Sequence, residues 1–164
     1  HVELHERYNA APAAQEARDL ISACVHCGFC LATCPTYLES ADERDSPRGR
    51  IYLVKQLLET GSATGRTHTH LDRCLTCRSC ETTCPSGVEY HRLLEIGRAH
   101  VEALVERSLP DRLKRRALVE TVPDPSRLEP LLKLGRLAGP LLPGTLKAKL
   151  PAAATAPAGR QRYD

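Results

Sequence analysis

Apolar residues along this chain recur at the three- and four-residue interval of an amphipathic helix, and no stretch alternates convincingly as a half-buried strand would. The first dozen residues read as a loose arm. Residues 13–23 (AAQEARDLISA) read as a helix that delivers the chain to Cys24. After Cys34-Pro35 comes a polar loop. Ser46-Pro47 is then a helix start, with serine as N-cap and proline in the first helical position. Ile51, Val54, Leu57 and Leu58 fall on one face of that helix, and Gly61 ends it. A polar stretch with Gly65 and Thr67 leads into a short helix before Cys74. After Cys84-Pro85-Ser86-Gly87 a long helix is predicted from about Tyr90 to Arg107, with Leu93, Leu94, Val101, Leu104 and Val105 on its apolar face. Gly97 inside it costs roughly 1 kcal/mol against alanine. Close approach of another backbone would explain it, and so would indifference.

Beyond Leu109 the character changes. Pro110 to Glu120 reads as a basic helix carrying Arg112, Lys114, Arg115 and Arg116. Ser126 and Glu129 make a capping box for a helix through about Leu137. From Gly139 the sequence is proline, leucine, alanine, glycine and lysine, read as a linker or disordered tail. A second reading has Leu131, Leu132, Leu134, Leu137, Leu141 and Leu142 on a membrane surface or partner. Lys133, Arg136, Lys147 and Lys149 would then face anionic lipid. The organisation expected is a domain over 13–108, a short helical extension over 109–138 and a linker over 139–164.

Composition narrows the function classes. One phenylalanine and no tryptophan make the core aliphatic. A net charge of +3, scattered among acids and without interleaved aromatics, argues against a nucleic-acid partner. No apolar run is long enough to span a bilayer.

The cysteines change the picture most. All eight fall in two runs, Cys24-x2-Cys27-x2-Cys30-x3-Cys34-Pro35 and Cys74-x2-Cys77-x2-Cys80-x3-Cys84-Pro85. This repeated spacing is that of a protein holding two [4Fe–4S] clusters. Each iron of a cubane needs one soft thiolate to complete its tetrahedron. Three cysteines at three-residue intervals wrap one cluster from a tight loop, and the fourth, before proline, ligates the other cluster. One donor set is therefore Cys24, Cys27, Cys30 and Cys84, and the other is Cys74, Cys77, Cys80 and Cys34. The chain alternates helix and cluster loop as a duplicated unit, so the fold expected is mostly α: an α-helical, ferredoxin-like domain with two [4Fe–4S] clusters.

Two alternatives compete. Four disulfides would suit a secreted chain, but regular triplets fit bridges poorly, and no signal peptide precedes them. Structural zinc uses Cys-x2-Cys pairs, but has no use for a third cysteine at the same interval or for Cys-Pro after it. Eight soft ligands imply a reducing compartment, hence cytoplasm.

At CVHCGFCLATCPTY, SPRGRIYLVKQLLE and HLDRCLTCRSCETTCPSGVEYHRLLEIGR the sequence resembles the iron–sulfur subunit of glycolate oxidase, over about residues 20–122. That family sits with the corresponding subunits of anaerobic glycerol-3-phosphate dehydrogenase, L-lactate-utilisation complexes and heterodisulfide reductase. The resemblance implies a non-catalytic electron-transfer subunit. A partner flavoprotein would oxidise glycolate, or another 2-hydroxy acid, at FAD, and this chain would relay single electrons towards a membrane quinone, in the cytoplasm or peripherally at the inner face of the cell membrane. The family continues into Cys-Cys-Gly repeats, whereas no cysteine follows Cys84 here. The sequence thus reads as the N-terminal part of a longer chain or as a shortened variant. The alternatives are a heterodisulfide-reductase-like subunit, a glycerol-3-phosphate or lactate dehydrogenase subunit and a zinc-bound interaction module.

The remaining polar residues carry two readings each. Arg48, Arg50, Arg73 and Arg78 lie beside the ligands, where positive charge favours the added electron. They could equally pair with Asp42, Asp45, Asp72 and Glu81. His26 could touch a cluster sulfur or be filler. His68, His70, His91 and His100 form no metal spacing and read as ordinary polar residues. Thr33 and Thr83 hold matching places, where their hydroxyls would satisfy loop carbonyls. No Gly-rich phosphate loop is present, so no catalytic residue and no flavin site is expected in this chain.

Overall fold

In the computed structural model, residues 2–138 are described, and no strand occurs among them. They form two compact units that divide between Arg107 and Ser108. The sequence features read at Leu141, Leu142, Lys147 and Lys149, and the linker over 139–164, lie outside the described residues, as does the side chain of Arg136.

The first unit is built on three long helices, α1 (Pro12–Ala23), α3 (Pro47–Thr60) and α6 (Tyr90–Leu104), with shorter α2 (Pro35–Ser40), α4 (Gly65–Asp72) and α5 (Ser79–Thr82) between them. Local chemistry sets their ends. Ser46 accepts the Gly49 N–H through its hydroxyl, with Pro47 in the first turn, and Gly61 closes α3 at φ +67°. Thr64 and Thr67 cap α4 reciprocally. The predicted face of α3, Ile51, Val54, Leu57 and Leu58, is fully buried. It meets Leu93, Leu94 and Val101 of α6, Ala14, Ala17 and Ile21 of α1, and Leu71 of α4. Gly97 sits where α6 crosses α3: a Cβ there would lie 2.5 Å from the Val54 Cγ2, so close approach is its reason.

Four expectations are corrected. The first residues are not a loose arm, because Val2 and Tyr8 are buried in the core. The His5 N–H donates to the Leu58 carbonyl at 2.8 Å, and the Arg7 guanidinium donates to the Gly61 carbonyl at 2.7 Å. The loop after Cys34 contains helix α2, which starts on Pro35 and stops at Ala41 with φ +52°. Helix α6 ends at Leu104 rather than near Arg107, since Val105 is extended.

The fourth correction lies in the second unit, which contains α7 (Leu109–Thr121) and α8 (Pro125–Leu137). Ser126 is not the cap of α8. The Asp124 carboxylate accepts the Ser126 N–H at 3.0 Å and its hydroxyl at 2.6 Å, because Pro125 takes the first helical position. Glu129 pairs with Lys133 instead of the cap. Leu131, Leu134 and Leu137 are exposed on α8.

Candidate metal centre

The two cysteine loops follow the same backbone course. His26 and Gly28 in the first have φ +54° and +85°; Thr76 and Arg78, at the matching places in the second, have +56° and +60°. Left-handed residues within such a loop turn successive N–H groups to one side, which makes a concavity for anionic sulfur. The first loop uses glycine at the second of these places. The second uses arginine, and places the Arg78 guanidinium on Glu81 at 2.9 Å. The loops meet at Thr33 and Thr83, whose hydroxyls lie 3.4 Å apart. Thr33 also faces the Cys30 and Ser79 carbonyls at 3.4 and 3.3 Å, and Thr83 donates to the Cys80 carbonyl at 3.3 Å. Both threonines thus satisfy loop carbonyls.

Two hollows open beside this junction. One, with about 390 Å³ of atom-free space, is lined by Cys34, Cys74, Cys77 and Cys80. The other, with about 440 Å³, is lined by Cys24, Cys27, Cys30 and Cys84. The fourth cysteine of each run is thus exchanged into the hollow of the other. Cys80 also borders the second hollow, and Pro47 and Tyr90 line both. The hollows are therefore neighbours with a thin shared wall. Cys34 and Cys80 are buried, whereas Cys27 and Cys77 are exposed.

The donor chemistry fits an iron–sulfur core. Burial, then the neighbouring Cys74, Glu81 and Cys30, pushes the Cys80 thiol up to about 12. Burial likewise raises Cys30, and Cys24 and Cys27 add to it. Sulfurs this crowded resist ionising together, and a cationic core that shares their charge removes the penalty. Cys77 is held below its ordinary value by the N–H and hydroxyl of Ser79.

The arginines divide between structure and site. Arg48 lines the second hollow and pairs with Glu43. Arg50, 1% exposed, borders the first hollow and donates to the His70 carbonyl at 2.7 Å, to the Thr36 hydroxyl at 3.1 Å and to Asp45 at 3.4 Å. Arg73 reaches the other Asp45 oxygen at 3.0 Å. Burial works to raise the Asp45 pKa, but hydrogen bonds from His70 and Arg73 outweigh it and leave it below the carboxylate range. Asp42, Asp45 and His70 approach closely enough to hold an ion. The arginines already occupy the Asp45 oxygens, and their charge opposes a cation there.

His26 lines the second hollow. The other histidines are more than surface polar residues. His70 meets Asp45 at 2.9 Å, His91 meets Glu81 at 2.9 Å, His68 meets Glu102 at 3.1 Å, and His100 stands edge-on to the Tyr8 ring. Sequence reading missed Thr36 and Tyr90. The Thr36 hydroxyl lies 3.2 Å from the Cys34 Sγ, and the Tyr90 hydroxyl donates to the Cys74 Sγ at 3.9 Å. Thr36 stands directly after a Cys-Pro pair, and that position was the available signal. Tyr90 carried none.

Residues 20–88 match the family described as a 4Fe-4S dicluster domain. The chain is 55% identical over 150 residues to the glycolate oxidase iron-sulfur subunit of Escherichia coli (strain K12), covering 92% of this chain and 37% of that protein. It is 42% identical over 117 residues to the probable glycolate oxidase iron-sulfur subunit of Bacillus subtilis (strain 168), covering 68% of this chain and 26% of that one. The chain thus spans roughly a third of the length of these curated relatives. No solved structure gives a significant match. Among the described residues no helix is long and apolar enough to cross a membrane.

Proposed function

Because residues 20–88 carry a 4Fe–4S dicluster domain, we propose that this chain is an electron relay of a flavin-dependent 2-hydroxy-acid (glycolate) oxidase. It takes electrons one at a time from the reduced FAD of a partner flavoprotein and passes them towards a quinone. The two clusters supply one-electron carriers between a two-electron donor and the acceptor. This chain contributes the thiolates, the loop N–H groups and the shared wall that keeps the two sites adjacent. It contributes no catalytic residue. The similarity to the two glycolate oxidase subunits supports the choice of substrate class. A cytoplasmic location fits eight free thiols, and the exposed leucines of α8 suit peripheral contact with a membrane surface.

The donor sets are Cys24, Cys27, Cys30 and Cys84 for one cluster, and Cys74, Cys77, Cys80 and Cys34 for the other. The observation that carries this assignment is the exchange of Cys34 and Cys84 between the hollows. Iron and sulfide analysis with EPR tests it. About eight irons per wild-type chain are expected, with a spin-coupled signal from two reduced clusters. Cys34→Ser should damage the cluster built on the second run, and Cys84→Ser that built on the first. Damage confined to each residue's own run would sink the crossed assignment. The relay itself is tested by mixing the protein with flavoprotein and glycolate: clusters that stay oxidised would count against it.

A further inference from the structure

The two hollows differ in one respect that the duplicated sequence conceals. Hydroxyl groups face the sulfurs of only one of them. In the hollow of Cys34, Cys74, Cys77 and Cys80, Thr36 lies 3.2 Å from the Cys34 Sγ and Tyr90 donates to the Cys74 Sγ at 3.9 Å. In the other hollow, of Cys24, Cys27, Cys30 and Cys84, no hydrogen bond from a side-chain hydroxyl to a cysteine sulfur is found among the described residues. Ser86, which holds in the second run the place of Thr36 in the first, makes no such contact there. The duplicated Cys-Pro-Thr and Cys-Pro-Ser therefore do different work.

Thr36 is held for this contact. Arg50 donates to its oxygen at 3.1 Å, which leaves the hydroxyl proton to face the Asp45 carbonyl at 2.9 Å and the Cys34 sulfur. The Cys34 thiol itself points to the Asp45 carbonyl at 3.7 Å. Once that sulfur binds iron it has no proton to give, and the Thr36 hydroxyl becomes its donor, its one proton shared with the Asp45 carbonyl. Net charge runs the same way. Arg48 and Arg78, one beside each hollow, are each matched by a glutamate. Arg50 and Arg73 meet a single carboxylate, Asp45, so positive charge is left beside Cys34.

Hydrogen bonds to cluster sulfurs and nearby positive charge stabilise the added electron and raise the reduction potential. We propose that the cluster held by Cys34, Cys74, Cys77 and Cys80 has the higher potential, so electrons enter at the Cys24–Cys27–Cys30–Cys84 site and come to rest at the other. The step moves one electron. One site is oxidised by one electron, its neighbour is reduced by one, and no bond forms or breaks. The reduced flavin of the partner supplies the electron, and a quinone-class acceptor removes it. Thr36 and Tyr90 set the direction, and Arg50 is the positioning residue for Thr36. This inference rests on the crossed donor sets proposed above.

The test is a potentiometric titration of the full chain, purified anaerobically with its clusters and followed by EPR through both midpoints. Thr36→Val should shift the reduced-to-oxidised ratio of the higher-potential cluster about tenfold, about 59 mV for a one-electron couple, and leave the lower midpoint in place. Tyr90→Phe should lower that same upper midpoint, which keeps the test alive if Thr36→Val fails to fold, and Thr36→Ser should restore it. If both variants lower the lower midpoint instead, the order of the sites is reversed and the direction is overturned. If neither midpoint moves, the hydroxyls do not act on the sulfurs and the inference falls. If Thr36→Val and Tyr90→Phe act on different midpoints, Cys34 and Cys74 do not share a cluster. In that case the donor-set reading fails, and this inference with it.

Discussion

Arg50 shows how much a single residue can bind together. Its guanidinium is fully buried and joins α3 to α2, to the turn before α3 and to the end of α4 through Thr36, Asp45 and the His70 carbonyl. Removing one partner of a buried charged pair costs about 3–5 kcal/mol, so Arg50→Met should lower the thermal midpoint severely. A melting curve close to wild type would show that the network does not hold the fold. The partly buried imidazole of His100 gives a pH signature instead. Burial lowers its pKa below 6.5, so the unfolded chain binds the proton more readily. The neutral ring's contribution is fully present above pH 6.5 and is lost as pH falls through the folded value. Wild type should therefore lose stability relative to His100→Gln between about pH 7 and 5; parallel melting temperatures across that window would refute this. The sequence could not show His70 as a buried partner, because the acid that meets it is Asp45, 25 residues away. Nor could it reveal the contact of Tyr90 with Cys74, which depends on where α6 begins relative to the second loop.

Among the elements, α6 packs against α1, α3 and α4, and at Gly97 it lies too close to Val54 of α3 to admit a Cβ. Alanine there would improve helix propensity by about 1 kcal/mol but drive a methyl group into Val54, where overpacking costs typically about 1–3 kcal/mol. The clash should win or cancel. Gly97→Ala should melt no higher than wild type, and Val54→Ala should rescue it if contact is the cause. A plain gain in stability would mean the helices shift apart at no cost. The ends of α3 were legible because serine, proline and glycine act within a few residues of themselves. The start of α8 was misread because two side chains competed for one cap, and the proline after Asp124 decided between them. Helix α2 escaped notice because six residues are too few to display a period.

At the scale of the molecule, the first unit has an aliphatic core on one side and two cysteine hollows on the other. Cys24, Cys30 and Cys74 pack against that core, and Cys80 is part of it. Iron should therefore hold the unit together as well as carry electrons. Anaerobic chelation should lower the thermal midpoint by many degrees and expose core amides to hydrogen exchange. An iron-free protein with unchanged protection would show that the helices suffice alone. The cysteine spacing made the cofactor legible from sequence, because triplets at three-residue intervals followed by Cys-Pro suit a cubane and little else. It left open how the two hollows differ, because that depends on hydroxyls and charges brought in from separate elements.

The exchange of Cys34 and Cys84 also bears on synthesis at the ribosome. A chain emerging from its N-terminus presents three donors by Cys30, and its next cysteine, Cys34, faces the hollow of a loop not yet made. On the crossed assignment neither cube can be finished until the second run has left the exit tunnel: the cube that uses Cys34 waits for Cys80, and the cube begun at Cys24 waits for Cys84, some fifty residues after Cys34. Loading by the cell's cluster-assembly machinery must then wait for the whole unit, and a chain cut short between the two runs would carry no complete cluster.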